Sequence, residues 1–257
     1  MNNRLKIILI ATIFNLLFEY SLRGINNLMV QPVLPFILFS IYFTLFSMVE
    51  DLIVRFKLKD YHLMVLAFFY GTLYGALTSG IVFIRPSWFG VAWMPMILVN
   101  IAWWGALQGV VTFYLANLIS PRDWDHSRLS HKGWVICLTI NVAAVLLFQT
   151  TGLIPTGTPL GRWSIFITAL VSLLLFIFLL RRKSDHKPYK KNVFLTTMSF
   201  MTLFLLLFSA IFLIGDPIRS NTSNINALSL KLVSWYTLGL SLVLLGYRLI
   251  TKKEISV

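Results

Sequence analysis

M-V-E-D-L-I-V-R-F-K-L-K-D-Y-H-L-M-V-L-A-F-F-Y-G-T-L-Y, residues Met48 to Tyr74, is the stretch on which the fold turns. Two apolar runs meet in it across a patch of charge. Glu50 and Asp51 close the first run, Asp51 and Arg55 are spaced to pair across one helical turn, and Tyr70, Gly71 and Tyr74 lie in the second. Apolar helices joined by a short charged turn are the pattern of a polytopic membrane protein.

Composition agrees. Of 257 residues, 58% are hydrophobic and 12% charged, and mean hydropathy is +0.80. Soluble domains are about half apolar and about one quarter charged. The net charge of +13 would suggest nucleic acid in a soluble chain, but here it follows from topology, and no nucleic-acid partner is expected. The single cysteine, Cys137, lies in an apolar run and excludes an intramolecular disulfide.

Runs long enough to cross about 30 Å of hydrocarbon fall at 5–22, 28–49, 63–84, 95–118, 134–153, 163–180, 193–214 and 230–249. They predict an all-α bundle of about eight transmembrane helices, 1–257 forming one multi-pass domain in the cell membrane. The first run has no small-residue cleavage site after it and reads as a retained helix. Alternate connections and tails hold 17 of the 22 Lys and Arg residues, from Arg4 and Lys6 to Lys252 and Lys253, and the other set holds Arg23, Arg85, Arg162, Arg219 and Lys231. That bias places both termini in the cytoplasm. The cluster from Arg181 to Lys191 reads as a topology signal lying against anionic headgroups. Trp88, Trp93, Trp163 and Trp235 fall at span ends, where indole rings favour the interface. Asn221-Thr222-Ser223, in the longest outer connection, is a glycosylation pattern that carries meaning only in a eukaryotic secretory pathway.

The two halves differ. Residues 154–257 read as apolar scaffold, whereas 1–153 hold Asn15, Glu19, Glu50, Asp51, Tyr70, Tyr74, Asn100, Gln108 and Asn141. Polar groups at membrane depth are costly and turn inward, so a site belongs in the first half. Gly71 and Gly75 on the third span and Gly105 and Gly109 on the fourth have the G-x-x-x-G spacing of closely packed helices. Asn100, Trp104, Gln108 and Thr112 follow at intervals of four, a stripe suited either to interhelical hydrogen bonding or to lining a binding cavity.

One resemblance emerges from these residues. Glu50-Asp51-x-x-x-Arg55 resembles the E-E-x-x-x-R element of the CAAX protease and bacteriocin-processing (CPBP) family of intramembrane peptidases, usually built from about eight spans. The family's F-x-x-x-H would fall on Tyr70 to Tyr74 and its H-x-x-x-N on Cys137 to Asn141, with Tyr74 and Cys137 standing where the family has histidines. The resemblance implies a candidate catalytic set of Glu50, Asp51, Arg55, Tyr74, Cys137 and Asn141. A phenol and a thiol replace imidazoles poorly in water activation, so the expected member is inactive as a protease.

Asp123-Trp124-Asp125-His126 and His131 could offer metal ligands, but Arg122, Arg128 and Lys132 share that loop, so ion pairing within the loop is expected and no metal or cofactor is assigned. The resulting expectation is a bilayer protein that handles a membrane-embedded peptide or lipid on a CPBP-like scaffold without proteolysis. The alternative is a small transporter or the membrane subunit of a larger complex, its oligomeric state open.

Overall fold

A computed structural model describes residues 3–23, 31–84, 86–124, 129–150, 154–181, 193–208 and 227–251. The glycosylation pattern at Asn221, the basic residues from Arg182 to Lys191, and Asp125 and His126 lie outside the described residues. Among the described residues there is no strand, and eight helices follow in order: α1 (Asn3–Arg23), α2 (Leu34–Phe56), α3 (Asp60–Leu77), α4 (Trp93–Ile119), α5 (His131–Thr150), α6 (Pro159–Leu180), α7 (Val193–Phe208) and α8 (Ala227–Thr251). Four of them, α2, α4, α5 and α6, are long and apolar enough to cross a membrane. The described residues are all-helical, with apolar helices of the kind found in membrane proteins.

Helix ends depart from the apolar runs for local reasons. The second run was expected to close at Glu50 and Asp51, but α2 continues to Phe56 because both carboxylates are neutralised within the protein and Asp51 pairs with Arg55 one turn on. It stops where Lys57 adopts φ +52°, the left-handed geometry common just past a helix C-terminus. The third run was expected to reach residue 84, but α3 ends at Leu77. Thr78 and Ser79 hydroxyls donate to the carbonyls of Tyr74 and Gly75, and Gly80 at φ +63° turns the chain into a 3-10 turn at Ile81–Phe83. Helix α6 begins before its apolar run because Thr158 caps it: its Oγ1 accepts from the Gly161 N–H at 3.2 Å, with Pro159 in the first turn.

Helix α4 is α-helical over Trp93–Leu98 and Thr112–Ile119 but π-helical over Val99–Val111. The wider turn brings backbone groups five apart together, and glycine sits where that crowding is greatest. A Cβ at Gly105 would lie 3.1 Å from the Asn100 carbonyl oxygen, and one at Gly109 3.2 Å from that of Trp104. π-helical geometry is rare, and the single-turn π-bulges that account for most of it are frequent at functional sites.

The chain divides into two compact units, each drawn from several segments. The first comprises Met1–Arg55, Val111–Asn141 and Pro188–Tyr236. In it α1 packs against the Thr112–Ile119 end of α4 and against α7, burying Ile7, Ala11 and Phe18. Phe46 of α2 meets Phe113 edge to face at 5.2 Å, and Tyr114 hydrogen-bonds Thr196 at 2.9 Å.

The second unit comprises Phe56–Val110, Val142–Lys187 and Thr237–Val257. Here α3 packs against α6, and Ala76, Val82, Val91, Met96 and Ile165 form an apolar core. The expected close approach of the third and fourth spans is present but uses three of the four glycines. Gly71 lies against Trp104 and Asn100, Gly105 against Met64 and Gly109 against Ala67, whereas Gly75 packs on Val82 after the turn. Trp88, Trp163 and Trp235 are exposed, and α5 and α6 leave most of their apolar surface uncovered, as helices facing lipid do.

Candidate functional site

The candidate site is a buried charge network in the first unit. Helix α2 places Glu50 and Asp51 on consecutive positions, each 1% exposed. Such burial of two carboxylates is tolerable only when their charges are paired and their lone pairs filled. Both conditions are met.

Glu50 is held by Arg122, which follows α4 in the segment Ser120-Pro121-Arg122. Nε donates to one carboxylate oxygen at 2.7 Å and Nη2 to the other at 2.8 Å. This bidentate fork is the strongest geometry available to a guanidinium and a carboxylate. Arg122 is fixed in turn. Its backbone N–H donates to Asn117 Oδ1 at 2.8 Å, and its guanidinium lies over the Trp124 ring, 5.3 Å from the centroid. Arg122 therefore reaches beyond its own loop and carries its charge to Glu50 of α2. A buried carboxylate has far more to gain from a single guanidinium than a solvated loop aspartate does.

Asp51 faces other donors. Arg55 approaches with Nη2 at 2.9 Å and Nε at 3.2 Å, and Arg4 of α1 with Nη2 at 3.4 Å. The Leu129 backbone N–H donates at 2.5 Å and the Trp134 indole N–H at 2.9 Å. One carboxylate thus ties α1, α2 and the start of α5 together.

The α2 and α5 faces continue to match above this point. Asn141 Nδ2 donates to Thr44 Oγ1 of α2 and to the Cys137 carbonyl, both at 2.8 Å. Trp134, Cys137 and Asn141 share one face of α5 by helical spacing, and Cys137 is buried. Of the six candidate catalytic residues, Glu50, Asp51, Arg55, Cys137 and Asn141 therefore belong to one unit and one pair of contacting helices. Tyr74 belongs to the second unit, where its ring packs on Trp104 at 5.7 Å between centroids.

The second unit holds most of the polar stripe. Asn100 Nδ2 donates to Thr72 Oγ1 of α3 at 2.8 Å, and Trp104 wedges between Gly71 and the rings of Tyr70 and Tyr74. Gln108 is fully buried, and neither its Oε1 nor its Nε2 has a hydrogen-bond partner. Thr112, also fully buried, belongs to the first unit. On α1, Asn15 is likewise buried with both amide atoms unpartnered, one turn before Glu19, which accepts from the Tyr42 hydroxyl at 3.2 Å.

Sequence reasoning missed Arg122, Thr44, Trp134 and Arg4 as partners of the motif residues. A separation of 72 positions between Glu50 and Arg122 leaves no spacing signal. Among the described residues no group of three or more His, Cys, Asp or Glu side chains is placed to hold a metal. No protein-family model, curated protein or solved structure matches the chain.

Proposed function

We propose that this chain is a non-proteolytic, CPBP-like membrane protein that binds a membrane-embedded peptide or lipid. Eight spans, both termini in the cytoplasm and residence in the cell membrane complete the reading, supported by the cation bias of the connections. The observation that carries it is the α2 and α5 pair. The two helices bearing Glu50, Asp51 and Asn141 are in contact, as a CPBP-like scaffold requires, yet their polar groups are already committed. Arg122 engages both Glu50 oxygens, and Asp51 accepts from Arg55, Arg4, Leu129 and Trp134. Carboxylate oxygens already occupied by these donors are not available to activate a water, so the network serves as scaffold rather than as a hydrolytic centre.

A photoreactive farnesylated peptide tests this with purified protein. Saturable labelling without cleavage is expected. Failure of both this peptide and a photoreactive phospholipid to label the protein would remove the reading, and cleavage abolished by Glu50→Gln would replace it with a peptidase.

The transport alternative has its own support in α4. A π-helical stretch with a buried, unpartnered Gln108 is the kind of non-α backbone that transporters use at substrate sites. Flux of a small solute into proteoliposomes, abolished by Gln108→Leu, would favour it.

A further inference from the structure

The start of α3 contains a histidine whose two ring nitrogens have opposite tasks. His62 is 1% exposed. Its Nδ1 accepts from the Lys59 backbone N–H at 3.0 Å, closing the first turn of α3. Its Nε2 lies 3.4 Å from the Leu179 carbonyl oxygen, in the last turn of α6. Only one protonation state satisfies both contacts. Nε2 must carry the hydrogen to donate to Leu179, and Nδ1 must be bare to accept from Lys59.

We propose that His62 is a pH-sensitive latch that joins α3 to α6 while neutral and releases the first turn of α3 when protonated. A second proton can go only to Nδ1, where it would face the Lys59 N–H, donor against donor. Among the described residues, charged groups near the ring come from three helices. Asp60 precedes it on α3, and its carboxylate accepts from the Tyr61 N–H and is paired with Arg248 of α8 at 3.7 Å. Arg248 also lies over the Tyr61 ring at 4.7 Å, and Tyr61 in turn packs on the His62 ring at 4.0 Å between centroids. Lys59 flanks the turn, and Arg181 follows the accepting carbonyl at the end of α6.

Asp60 and the carbonyl end of α6 favour an imidazolium, the latter through the helix dipole. Arg248, Arg181, Lys59 and the amino end of α3 oppose it. Burial opposes it too, and a proton on Nδ1 would forfeit the Lys59 contact. The folded junction therefore binds fewer protons than the opened one, so its stability is present at higher pH and is lost as pH falls.

Hydrogen–deuterium exchange on the purified full chain, corrected for intrinsic rates, tests the latch from about pH 8 to about pH 5, a range bracketing the ordinary imidazole value of about 6.5. Protection of peptides covering the start of α3 and the end of α6 should fall by about tenfold per pH unit in the acidic arm, the slope of a one-proton linkage. His62→Asn should lose that slope, because Asn Oδ1 can still accept from Lys59 and does not titrate. His131→Gln should keep it. Flat protection in the parent chain alone would overturn the proposal even if His62→Asn failed to fold, and so would an unchanged slope in folded His62→Asn.

Discussion

Arg122 closes a two-pronged bond on Glu50, at 2.7 and 2.8 Å, with both side chains 1% exposed. Breaking one partner of such a pair strands a charge in the protein interior, which typically costs about 3–5 kcal/mol, whereas exchanging both for apolar groups of similar volume is often neutral or better. Arg122→Met and Glu50→Leu should each lower the melting temperature in detergent strongly. The double variant should recover most of the loss. A loss in the double variant equal to the sum of the two single losses would mean that the pair contributes little coupling.

Gly71 and Gly75 make opposite predictions although they share one motif. A Cβ at Gly71 would lie 2.6 Å from Trp104 Cγ and 2.7 Å from Asn100 Oδ1, whereas at Gly75 the nearest atom is Val82 Cγ1 at 3.4 Å. Gly71→Ala should therefore destabilise by about 1–3 kcal/mol, the usual cost of overpacking. Gly75→Ala should be close to neutral. Melting curves of the two variants beside the parent decide it, and a tolerated Gly71→Ala would mean that α3 and α4 are not in close contact.

Gln108 sits fully buried with both amide atoms unpartnered, so its removal should relieve the protein. An unsatisfied buried group costs about 1–3 kcal/mol, and Gln108→Leu, nearly isosteric, should raise the melting temperature. A lowered melting temperature would indicate that Gln108 is engaged in the folded protein, and the same variant in the flux assay would show whether that engagement is functional.

Reporter fusions placed after Lys59, Lys132, Lys191 and the C-terminus should all report the cytoplasm, because 17 of the 22 cations lie on that side of the proposed topology. An opposite signal at any one of them would change the number of spans.

Class was legible in the sequence because hydropathy is a sum over neighbours. Runs such as 134–153 and 163–180 needed no partner to be read as helices, and α5 and α6 occupy nearly those positions. The i, i+4 pairing of Asp51 with Arg55 was legible for the same reason, since helical geometry alone brings them together. The Thr158-Pro159 start of α6 is equally local capping chemistry, but the apolar run, which begins at 163, did not mark it.

Tertiary structure alone decided what the charges do. Glu50 read as a polar residue closing an apolar run, and nothing in the sequence showed that its buried charge is met by Arg122 from 72 positions away. Asn141 found Thr44, and Asp51 found Trp134, across separations that no periodicity encodes. The π stretch of α4 was equally hidden, because widening a helical turn depends on what packs beside it, and Gly105 and Gly109 read as packing glycines before they read as room for a wider backbone. Local composition specifies which segments are helical and apolar. Which buried polar group meets which depends on the packing of distant segments, where an unpaired charge is too costly to remain.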